Sequence, residues 1–176
     1  MTFTLICDNN TVAKDDDIQY LIEDDGGNDY LSRLLMVIKD EQNNAIGELT
    51  GYILHADSIL SDEANSFLIM DGISQLLCNA HELITANKKD FSGKESVLFL
   101  NRLSLYEGHF NNELEGIVIS FLTSNYQAVI YSLGDTELTD NDFLEIQDRA
   151  YFEYWGKELK ENNWKYTLDL DLYYKI

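Results

Sequence analysis

Proline is absent from all 176 positions, and there are only two cysteines, Cys7 and Cys78. The missing proline says little about function. Two thiols so far apart make neither a disulfide framework nor a metal-ligand spacing. Each sits in an apolar run, which points to buried free thiols in a reducing cytosol. Basic residues are scarce too: 12 Lys and Arg stand against 32 Asp and Glu, a formal charge of −20. Such a surface repels nucleic-acid backbones and anionic membranes and attracts a basic protein or a polyamine. Solubility alone explains the same charge equally well. No uninterrupted apolar stretch approaches the ~18–20 residues of a membrane span. The opening MTFTLICDNN lacks a basic start, and its apolar run is too short for a signal peptide. These features lead us to expect a cytoplasmic protein with no membrane partner. Histidine is limited to His55, His81 and His109, with no HExxH-type motif, so no zinc site is expected.

What is present suits a globular fold. The chain is 45% hydrophobic and 12% aromatic, long enough to bury a core and unlike a disordered segment. FTLIC (3–7) reads as a short strand within an acidic N-terminal segment, residues 1–29. IQYLI (18–22), between two acid runs, leaves helix and strand both open. YLSRLLMVIKD (30–40) and IGELTGYILHAD (46–57), separated by an Asn-containing break, read as an antiparallel hairpin. Gly47 and Gly51 in the second run suggest a bulge or a close backbone approach. Across 65–86, Ile69, Ile73, Leu76, Leu77, Ala80, Leu83 and Ile84 fit one helix face, with Ser61 or Asn65 as cap. A polar loop (87–96) leads to the strand VLFLNRLSL (97–105). Then come a helix from about 112 to 124, the strand QAVIYSL (127–133), and a helix from about 141 to 161. KYTLDLDLYYKI (165–176) alternates as a half-buried terminal strand, with Tyr173 and Tyr174 on opposite sides. The expected fold class is α/β (α+β): a single domain over 1–176, its core in 30–176, with a mixed central sheet and flanking helices. A ligand would be expected beside the carboxyl end of strand 97–105.

Three stretches carry a family resemblance. IGELTGYILHAD with LIMDGISQLL, VLFLNRLSLYEGHF, and RAYFEYWGK (149–157) are together similar to the GCN5-related N-acetyltransferases, the GNAT superfamily. In that family a loop patterned Arg/Gln-x-x-Gly-x-Gly/Ala binds the pyrophosphate of acetyl-CoA. Its glycines let the backbone close around phosphate, and the amides at the following helix start face the charge. The matching positions here are Phe110, Asn111, Asn112, Glu113, Leu114 and Glu115. Side chains replace the glycines, and two carboxylates enter the first helical turn. They suit the helix dipole but repel pyrophosphate. At ~5 Å and an effective dielectric of about 20, each such pair costs roughly 3 kcal/mol. A couple of these terms removes ~10²–10⁴ in affinity. The loop has the place of an anion site and the wrong chemistry for one.

The resemblance also implies site residues. Tyr151 matches the late-helix tyrosine that serves as general acid, with Tyr154 the other choice. Both also fit a core role, since aromatics at helical spacing are commonly buried. Asp71 is a candidate carboxylate, read otherwise as a capping acid early in a helix. Glu48, Asp57 and Glu107 are candidate bases by position. If CoA is bound, Leu103, Leu105, Asn111 and Asn112 would line it. Three functions follow: a GNAT-like acidic binding or regulatory protein with lost or altered acetyl-CoA binding; a divergent N-acetyltransferase passing an acyl group from acetyl-CoA to a basic amine; or an acidic mimic of nucleic acid.

Overall fold

The computed structural model describes residues 18–23, 29–39, 42, 44–105, 120–132 and 159–176, with backbone alone described for 18–23 and 102–105. Within these, one mixed sheet of seven strands is flanked by helices on both faces. In chain order the strands are β1 (Ile18–Glu23), β2 (Leu31–Lys39), β3 (Ala45–Leu54), β4 (Val97–Leu105), β5 (Ala128–Tyr131), β6 (Lys165–Thr167) and β7 (Leu172–Lys175). Across the sheet they run β1-β2-β3-β4-β5-β7-β6. The segment left open between helix and strand is therefore a strand, paired antiparallel to β2. The expected β2–β3 hairpin forms, with Leu31 opposite Leu54. Every neighbouring pair is antiparallel except β4 and β5, which run parallel. A parallel pair needs a crossover connection, and here the connection carries a helical segment at 120–125.

Strand alternation sorts the core into two layers. Val97 and Phe99 of β4, Ala128 and Ile130 of β5, and Leu172 and Tyr174 of β7 face one side. They pack on α1 (Ala56–Ser61), α2 (Glu63–Asp71), α3 (Gln75–Ala86) and α4 (Lys88–Phe91) through Ile59, Met70, Leu77, Leu83, Ile84 and Phe91. Leu98, Leu100, Val129, Tyr131 and Tyr173 face the other side, against Leu122, Leu159 and Trp164. Tyr173 and Tyr174 thus point to opposite layers, as the alternation requires. Each large side chain buried this way contributes about 1.5–3 kcal/mol.

Both glycine expectations in β3 have a physical cause. The β2–β3 register shifts near Gly47, at Ile38 and Lys39. The β3–β4 register shifts at Thr50 and Gly51: Thr50 pairs with Arg102 and Gly51 with Leu100, leaving Asn101 as the extra residue of a bulge. A Cβ on Gly51 would lie 2.2 Å from the Phe99 carbonyl oxygen, so only glycine fits there.

Five local expectations are corrected. β3 ends at Leu54, and residues 56–61 are helical rather than strand. The helix expected over 65–86 breaks at Gly72–Ser74 into α2 and α3. Neither Ser61 nor Asn65 is the N-cap: α2 follows Asp62 with no side-chain cap bond, and α3 is capped by Ser74, extended at φ −164° and accepting from the Leu77 amide. Ser61 instead bonds the Ser58 carbonyl, and Asn65 donates to Asp62. The loop 87–96 contains the single turn α4. The terminal strand is a hairpin, β6–β7, with Leu168 exposed at its tip and Asp171 in the left-handed region at φ 51°. The Tyr166 hydroxyl donates to the Asp171 carboxylate at 2.8 Å, closing that turn. This bond, with burial, pushes the Tyr166 hydroxyl up to about 12.

Candidate functional site

The residues singled out from sequence fall in three places. Tyr151, Tyr154, Asn111, Asn112, Glu107 and His109, like strand 3–7 and Cys7, lie outside the described residues. Leu103 and Leu105 are on β4, paired through backbone with Leu49 and Gly47 of β3. The last described β4–β5 pair is Leu100 opposite Tyr131, followed by a bond from the Ser132 amide to the Leu100 carbonyl. Asp71 is the last residue of α2, not an early helical acid, and the buried Cys78 thiol donates to it at 3.3 Å. Burial, and that hydrogen bond to a carboxylate, push the Cys78 thiol up, so it is an inert free thiol.

His81 is buried against α2. Its Nε2 lies 3.1 Å from the Glu63 carbonyl and 3.0 Å from Ser66 Oγ. A carbonyl only accepts, so Nε2 carries the hydrogen. Burial lowers the imidazole from its ordinary range, against opposing pulls from Glu63 and Glu82. Ser66 is fully buried and donates to the Asp62 carbonyl at 2.8 Å. The pair is structural, with no route for a substrate.

The described residues Asp29, Tyr30, His55, Asp57, Ser58, Ser61, Asp62 and Glu95 line an open cleft of about 680 Å³. It opens at the amino end of β4, away from the carboxyl end where sequence logic placed a ligand. Register builds it. Leu31 pairs with Leu54, so the residue before β2 and the residue after β3 meet, and the His55 amide donates to the Tyr30 carbonyl at 2.9 Å. α1 then presents Asp57, Ser58 and Ser61. The Asp57 carboxylate accepts from the Gly93 amide at 2.9 Å, tying α1 to the approach to β4. Glu95 completes the rim, held by its amide bond to Gln127 Oε1 at 3.0 Å.

The electrostatics of the cleft have one sign. Four of its eight lining residues are acidic, and none is Lys or Arg. Asp62 takes hydrogen bonds at 2.8 Å from Asn65 Nδ2 and from the Tyr30 hydroxyl. These bonds, Asn65's first, hold its carboxyl below the ordinary carboxylate range. The same bond pushes the Tyr30 hydroxyl up. His55 Nε2 sits 3.4 Å from Ser32 Oγ. Among the described residues no three His, Cys, Asp or Glu side chains converge on one point as metal ligands would. Spaced acids around an open cleft match a ligand with several separated positive charges rather than one ion. Sequence reading placed Asp57 among candidate bases but missed Tyr30, Asp62 and Glu95. Only strand register brings those positions together, and no short-range spacing signals it.

Among the described residues no helix is long and apolar enough to cross a membrane. Comparison of the chain with protein-family models, curated proteins and solved structures finds no match.

Proposed function

We propose that this chain is a GNAT-like fold that has lost ordinary acetyl-CoA binding and acts as an acidic binding protein for a basic protein or polyamine. The observation that carries the reading is the cleft at Asp29, Asp57, Asp62 and Glu95, with no Lys or Arg among the described residues that line it. The whole-chain charge of −20 extends the same preference to the surface. The mixed sheet, with its one parallel pair β4–β5 and a crossover between them, is compatible with the resemblance. The donor set at 110–115 does not fit a pyrophosphate: Phe110 stands where the resemblance expects Arg or Gln, and Glu113 and Glu115 put bulk and negative charge where it expects glycine. No chemical step is therefore assigned to the cofactor.

Calorimetric titration with spermine tests the reading. Wild type should bind it at low salt, and an Asp57→Asn, Glu95→Gln variant should bind about tenfold or more weakly, on the scale of two lost charge contacts. Binding should also weaken as salt rises, because exposed charges are screened over about 10 Å at 0.1 M. Equal affinity in both proteins would remove the cleft from the account.

A second reading, a divergent N-acetyltransferase, draws on one observation. β4 continues to Leu105 past Leu100, its last described pair with β5. Backbone groups at Leu103 and Leu105 would there be available to an extended acyl-carrying arm. Basic acceptor amines would suit the acidic surface.

A further inference from the structure

An amphipathic surface helix normally turns its apolar residues inward, and α2 does the reverse. It buries only Ser66 and Met70. Phe67, Leu68 and Ile69 stand exposed by 42%, 66% and 38%, and Ile73, just past the helix end, by 45%. Six large apolar side chains are exposed among the described residues, and four of them fall within 67–73. At about 100° per residue, Phe67 and Ile69 lie on different sides of the helix with Leu68 between them, and Phe67 turns toward His81. Ile69 and Ile73 are one helical turn apart, and Leu68 has Ala64 and Gly72 one turn to either side. Those two small neighbours leave Leu68 standing above a shallow floor.

The rim of this surface is acidic. Glu63 and Asp71 lie one turn before and after Phe67. Glu82 stands exposed on α3 beside His81, whose ring meets Phe67 edge-on at 5.5 Å. At its amino end α2 begins after Asp62, which lines the acidic cleft. Lys88, paired to Glu63, is the cation recorded in an ion pair with this helix. An apolar strip bordered by carboxylates at both ends selects its occupant by charge as well as by shape. A second copy of this chain would bring another formal charge of −20 against the first. An anionic membrane surface would be repelled in the same way.

We infer that the exposed face of α2 formed by Leu68, Ile69 and, just past its end, Ile73 docks a basic amphipathic helix of a protein partner. Leucine-type residues of that helix cover the strip, and its flanking Lys or Arg residues face Asp71 and the cleft at Asp62. This rests on the proposed acidic-binding role and goes beyond it by naming a protein segment and a second surface. The strip from Glu63 to Ile73 is ~16 Å long at 1.5 Å per residue, which two to three turns of a partner helix would cover.

The probe is a fluorescein-labelled helical peptide of about 14 residues built only of leucine and lysine, with leucines at i, i+3, i+4 and i+7. A glutamate-for-lysine version serves as control. Anisotropy at low salt should show the lysine peptide bound by wild type. A Leu68→Gln, Ile69→Gln variant should bind about tenfold or more weakly, while Leu168→Gln, at the exposed β6–β7 turn, binds within a few-fold of wild type. Both substituted positions in α2 are exposed, so the fold should survive. Ile73→Gln, outside the helix, gives an independent reading if the double variant unfolds, and should also weaken binding. Loss confined to the Asp57, Glu95 variant would overturn the α2 surface and leave the cleft reading standing. Absence of lysine-peptide binding, or equal binding of the glutamate peptide, would overturn it as well, with spermine titration judging the cleft separately. A wild-type dimer dispersed by the Leu68, Ile69 substitutions would also overturn it, by showing that a second copy covers the face.

Discussion

At Gly51 a single hydrogen atom decides whether two strands can approach. The Phe99 carbonyl occupies the space a Cβ would need. Gly51→Ala must move backbone on a central strand pair, and we expect a loss of about 2 kcal/mol or more in chemical denaturation. The glycine could be picked out from sequence because an isolated glycine in a strand pattern has few other causes. His81 could not. Its role depends on Ser66, 15 residues away, and on burial that no short pattern reveals. Its lowered folded-state value has a defined sign. Between that value and the ordinary histidine value near about 6.5, the unfolded chain holds more protons than the folded one, so stability falls as pH drops through this window. Thermal melts from pH 7.5 to 5 should show that slope, and His81→Gln should flatten it. An unchanged slope would assign the acid sensitivity to other groups.

Among the elements, strands were more legible than helices. β2, β3, β4 and β5 carry long apolar runs with clear punctuation, so their existence follows from pattern alone. The helical stretch misled because Ile69 and Ile73 continue the periodicity of α3 while facing solvent. Periodicity records which residues share a face, and it does not record whether the chain bends between turns. Gly72 and Ser74 bend it, and Ser74→Ala should cost about 1 kcal/mol by exposing the Leu77 amide at the start of α3. The terminal hairpin was hidden for a related reason. Alternation from Thr167 to Leu172 imitates a strand, but the turn between β6 and β7 rests on Asp171 in the left-handed region and its bond to Tyr166. A β-branched residue such as Val at position 171 should destabilise the hairpin by about 1–2 kcal/mol.

For the whole molecule, composition states the sign of the charge but not its arrangement. The excess of acids was visible at once, whereas the gathering of four of them around one cleft required β2, β3, α1 and the entry to β4 to assemble. The same limit applied to the ligand's place. Strand order pointed to the carboxyl end of β4, while the cleft lies at the opposite end. Under the proposed function the chain binds cationic ligands and no longer binds acetyl-CoA. Calorimetry with acetyl-CoA at low salt, on wild type and on a Glu113→Gly, Glu115→Gly variant, tests that most directly. The account predicts no measurable binding to wild type and a gain of up to ~10²–10⁴ in affinity on removing the two carboxylates. Micromolar binding of acetyl-CoA to the wild-type chain would contradict it.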